Sequence, residues 1–150
     1  MGKIVYGALV GVSITADADQ DIWNLVVAGG ARIKLHGFEL TSDTLVAELV
    51  SLSLVRVSTA STTTGAAITP QLRDGADGAL AGSLRAGDTV PGTPAGNLMG
   101  WQWEGLGPVG HVFTPEMRPI STTTTANGFA LHCHTSQAMT VSGWVCWEES

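Results

Sequence analysis

The chain has 150 residues, a net charge of −6 and two cysteines, the size of one domain (residues 1–150) with room for a real core. Its seven Lys and Arg residues are scattered, which excludes the basic stripe that nucleic acid demands and argues against an anionic membrane surface. Charged residues make up 13% of the sequence, about half of the ~25% usual in globular domains. Two readings of that exterior stand level: a surface meant to meet other protein, or a plain Thr- and Ser-rich β surface.

The opening stretch KIVYGALVGVSIT (3–15) alternates loosely around Ile4, Tyr6, Val10, Val12 and Ile14. It reads as a strand and not as a signal peptide, because a clean cleavage site is missing. Next, DADQDIWNLVVAG (17–29) has acids in front, Gly29-Gly30 behind, and Ile22, Trp23, Leu25 and Val26 at helical spacing. The expectation is a single short helix plugging one end of a β core. RIKLHGFEL (32–40) turns Ile33 and Leu35 inward, then shifts phase at a bulge near Gly37 so that Phe38 and Leu40 take over. VSLSLVRVS (50–58) alternates through Val50, Leu52 and Leu54.

Residues 60–100 are rich in Gly, Pro, Thr and Asp, with Ile68, Leu72, Leu80, Leu84 and Val90 as possible anchors. This segment is expected to be one long loop or an arm that orders against a neighbour. NLMGWQWEG, GHVFT and MRPIS follow as shorter strands, and 128–135 and 138–148 are the clearest strands in the chain. The sum is an all-β, jelly-roll-like β-sandwich of about eight strands with one short helix and a long central loop. No apolar run reaches the ~18 residues of a membrane-spanning helix.

The stretch GFALHCHTSQ carries His132, Cys133 and His134. Residues two apart share a face of a strand, so both imidazoles point one way. A cupin-like metal site would need a carboxylate soon after the pair and a later histidine, and neither follows. Phe129, Leu131 and Cys133 form the apolar set, which places both histidines outside, beside the outward set Thr140, Ser142, Trp144 and Cys146 of the last strand. Neither is assigned to metal. Cys133 inward and Cys146 outward do not pair, and two cysteines make no disulfide framework, so a reducing, cytosolic place of assembly is expected. There is no Gly-x-Ser-x-Gly elbow, and Asp74, Asp77, Glu148 and Glu149 give no distinctive carboxylate pair. The five tryptophans are read as core or interface rather than as a sugar platform.

The tail NGFALHCHTSQAMTVSGWVCWEES, the central TTTGAAITPQLRDGADGALAG and the early DQDIWNLVV together resemble jelly-roll decoration (cement) proteins of tailed-bacteriophage heads. The resemblance covers most of the chain in order and spacing, without a diagnostic signature. It implies a trimeric β-sandwich seated on the outer capsid lattice, with no catalytic residues. The expected function is that of a non-enzymatic virion protein on the capsid exterior, assembled in the host cytoplasm. It would stabilise the capsid as a homotrimer by bridging major capsid protein subunits, without cofactor, metal, nucleic acid or membrane. The alternatives are a carbohydrate- or receptor-binding β-sandwich module and, third, a cupin-like metalloprotein.

Overall fold

A computed structural model describes residues 2–75 and 78–150; Asp77 lies outside the described residues. Two antiparallel sheets pack face to face. One has the order β6 (Gln71–Leu72), β1 (Lys3–Ile14), β11 (Met139–Glu149), β3 (Ile33–Ser42), β9 (Val109–Val112). The other runs β5 (Ala66–Ile68), β7 (Gly82–Asp88), β2 (Gln20–Val27), β10 (Gly128–Thr135), β4 (Val50–Val57), β8 (Pro94–Trp103). With β5, β6 and β7 set aside as additions, the orders are β1-β11-β3-β9 and β2-β10-β4-β8, a jelly-roll-like interleaving of eight strands. The described chain has eleven strands in all and, in place of a helix, a single 3₁₀ turn at Pro115–Met117. The expected strand at MRPIS does not form: Met117 ends that turn, and Ile120 makes an isolated bridge to Lys34.

Period-two patterning builds the core. Phe129, Leu131 and Cys133 of β10 face Val141, Val145 and Trp147 of β11, all without exposed surface. Each large apolar side chain so buried contributes roughly 1.5–3 kcal/mol. Strand β3 behaves as its sequence predicts: Ile33 and Leu35, then Phe38 and Leu40, are buried, with the pairing to β11 slipping between Leu35 and Gly37. Strand β1 corrects the expected phase. Val5 and Leu9 point in, then a bulge at Val10–Gly11 lets Val12 and Ile14 point in, leaving Tyr6 and Val10 outside. Gly11 has φ 62°, a left-handed conformation that suits glycine at the bulge.

Three further expectations are overturned. Residues 17–29 form no helix; Gln20–Val27 is strand β2, with all eight residues buried. A central strand covered on both faces reads as a continuous apolar run, which periodicity alone does not separate from a helix. Its pairing with β10 slips at Ile22, so Ile22 and Trp23 both enter the core and mimic helical spacing.

Residues 60–100 are no loop or free arm: they contain β5, β6, β7 and β8. Leu84 is buried, Ile68, Leu72 and Leu80 pack on the core, and Val90 stays outside. Segments 58–65 and 89–93 cross the outside of the six-stranded sheet, joined by a Thr62–Val90 bridge and a Ser58 N–H to Thr93 carbonyl bond of 3.0 Å. A second small core of Val26, Val55, Val57 and Ala130 lies on that side, with Ala60 packed on it.

Finally, β10 and β11 belong to opposite sheets. The outward residues of β11 therefore lie across the sandwich from the histidines, not beside them.

Candidate functional site

The bulge at Ile22 shapes the polar side of the six-stranded sheet. Because Ile22 and Trp23 both turn inward, Asp21 and Asn24 share the outer face although three residues apart, and Asn24 Nδ2 donates to Asp21 Oδ2 at 3.1 Å. The Gly92 N–H also donates to Asp21 Oδ2, at 2.9 Å. Asp21 is buried, and its other oxygen lies 3.1 Å from His132 Nδ1. One step up the strand, Asp19 Oδ1 stands 3.1 Å from His134 Nδ1 and 3.9 Å from His132 Nε2. Both histidines do face outward, His134 exposed and His132 half-buried.

A cupin-like metal site calls for a carboxylate soon after the histidine pair, and none follows in the sequence. Two come instead from the neighbouring strand and its approach, more than a hundred residues earlier in the chain. Period-two parity of residues 19–21 against 132–134 could have hinted at it, but only once β2 was known to be a strand. The Asp21 hydrogen bond is the main cause holding the His132 pKa above the ordinary 6.5, working against burial.

Next to it, fully buried Asp88 pairs in register with Asp21. It accepts from Arg85 at 2.6 and 2.8 Å, from Ser61 Oγ at 2.7 Å and from the Gly65 N–H at 3.0 Å. Burial pushes the Asp88 pKa up, but these bonds together hold it below the ordinary value. This group ties β7 to the crossing segment. Among the described residues, no group of three or more His, Cys, Asp or Glu side chains is arranged to hold a metal ion.

The remaining sequence candidates are spread apart. Cys133 and Cys146 are free thiols. Burial pushes the Cys133 pKa up to about 12 and raises that of Cys146, partly offset by a hydrogen bond with Tyr6, so both stay protonated and weakly nucleophilic at neutral pH. Trp23, Trp103 and Trp147 are buried, and Trp101 packs on the core edge-on to Phe38 with ring centroids 5.4 Å apart. Glu148 sits near Lys34 and His36, whereas Glu149 is buried and accepts from the Ala81 and Gly82 N–H groups and from Trp147 Nε1. Asp74 sits beside β6, far along the chain from either glutamate. A groove of about 420 Å3 between β1 and β5–β7 is lined by Val12, Ser13, Gly65, Ala66 and Gly87 among others, with no ionisable side chain.

What the surface does offer is apolar area. Leu45, Val46 and Leu49 of the β3–β4 loop and Leu106 of the β8–β9 loop are exposed, Leu45 to 94%. Tyr6, Val10 and Val112 are exposed on the outside of the five-stranded sheet. Contacts of this kind suit association with other macromolecules better than enclosure of a small molecule. No family model, no curated protein and no solved structure matches the chain.

Proposed function

We propose that this chain is a structural virion protein that decorates the outside of a bacteriophage capsid and stabilises it by bridging major capsid protein subunits, acting as a homotrimer. The observation that carries the reading is where its apolar area goes. Large side chains such as Leu45 and Val10 stand in solvent, 94% and 82% exposed, while the buried carboxylates Asp21 and Asp88 are spent on holding the fold together. Such a surface gains by being covered. Binding only the mature lattice stabilises that lattice by mass action. A closed threefold assembly makes its contacts together, so weak single contacts add up to firm attachment. No catalytic step is part of this function.

The test is rebinding. Purified protein added to heads stripped of it should cosediment with expanded heads and not with procapsids, and should raise the temperature at which the heads release DNA. Absence of binding to either form of head would sink the reading.

A further inference from the structure

The loops β1–β2 (15–19), β3–β4 (43–49), β8–β9 (104–108) and β10–β11 (136–138) gather at one end of the sandwich, as the registers Ile14↔Met139, Leu40↔Val109 and Val50↔Trp103 require. These loops carry Asp17, Asp19, Asp43, Glu48 and Glu104 and not one Lys or Arg. They also carry Leu45, Val46, Leu49 and Leu106, all exposed. Hydrogen bonds join the two loops that carry these apolar residues. The Glu48 N–H donates to the Glu104 carbonyl at 2.8 Å, Ser42 Oγ donates to the Gly105 carbonyl, and Thr44 Oγ1 donates to the Val46 carbonyl at 2.9 Å. Bonds of this kind reduce the ordering that the loop backbones still need on binding.

The outside of the five-stranded sheet differs in charge. It holds both signs, with Lys34 Nζ 3.8 Å from Glu148 and His36 3.4 Å from the same carboxylate. At the loop end Asp19 is met by His134 and His132, but the loops set no Lys or Arg against Asp17, Asp43, Glu48 and Glu104, and clustered like charges create a field that a cationic surface relieves. Phosphate backbones and anionic bilayers are repelled by the same field.

We infer that the chain seats on its partner through this loop end, and that the partner is a protein surface offering an apolar depression rimmed by lysine and arginine. The inference rests on the decoration reading and names the side of the molecule that meets the capsid. Leu45 and Leu49 enter the depression, while Glu48 and Glu104 face its rim.

Cosedimentation with stripped, expanded heads tests both, with each variant first checked for a native thermal melt. Wild type binds, and more weakly as salt rises to ~0.5 M, where surface charges are screened. Leu45→Ser with Leu49→Ser weakens binding at least about 10-fold, a loss of roughly 1.4 kcal/mol. Glu48→Lys with Glu104→Lys does likewise, flattens the salt dependence, and carries the test should the leucine variant fail to fold. Val10→Ser with Val112→Ser, on the sheet face, binds as wild type. Wild-type binding that the loop variants retain overturns the inference and leaves the decoration reading standing. Failure of wild type to bind heads removes both. Cosedimentation with neutral phosphatidylcholine vesicles, lost on Leu45→Ser, would overturn the inference in favour of a bilayer.

Discussion

The two outer faces of the sandwich solve the same problem in opposite ways. Outside the six-stranded sheet, segments 58–65 and 89–93 lie across the strands, so a second small core forms and two carboxylates, Asp21 and Asp88, are buried and fully engaged. Outside the five-stranded sheet, by contrast, Tyr6, Val10 and Val112 stand in solvent. The contrast separates stability from association. Buried polar groups must find partners inside the chain because leaving them unpaired is costly; bare apolar ones cost the fold little and are free to meet something else.

Breaking the covered face should have the largest effect. Asp88→Ala strands Arg85 and removes the bonds to Ser61 and Gly65, and is expected to lower the unfolding free energy by about 3–4 kcal/mol in urea titration. Val57→Ala in the small second core is expected to cost about 2 kcal/mol in the same titration, from two lost methyl groups and the space they leave. If that cost were nil, the crossing segments would not be packing on the sheet.

The histidines sharpen the contrast through pH. His132, on the covered face, has its pKa raised by its Asp21 hydrogen bond. Its contribution to stability is full below the ordinary value of 6.5 and is lost as pH rises through the raised value. His36, outside the five-stranded sheet, has its pKa lowered by burial first and Arg118 second, with the Glu148 hydrogen bond opposing. The unfolded chain therefore takes up that proton first, and stability is lost as pH falls below 6.5. Stability measured against pH should then flatten on its alkaline side in His132→Gln and on its acidic side in His36→Gln; ring-proton titration by NMR should place the two pKa values on opposite sides of 6.5. The smallest effect belongs to the bare face: Val10→Ser with Val112→Ser should change stability by no more than about 0.5 kcal/mol.

Much of this architecture was legible in the residues. Strands β3, β4, β10 and β11 alternate so cleanly that their inward sets follow from period two alone, including the phase slip near Gly37. The outward direction of His132 and His134 was legible for the same reason. Their partners were not, because Asp19 and Asp21 lie in a segment whose bulge at Ile22 counterfeits a helix.

The sequence by itself determined an all-β sandwich and the inward set of its clearest strands, because alternation is a local property that every strand carries within itself. Tertiary structure alone decided the rest. It put β10 and β11 in opposite sheets, folded the glycine-rich centre across one face, brought Asp21 to His132, and gathered five acids and four bare apolar side chains at one end. Each of these depends on which distant segments pair, and pairing is settled by the whole set of buried surfaces competing at once, not by the pattern of any one strand.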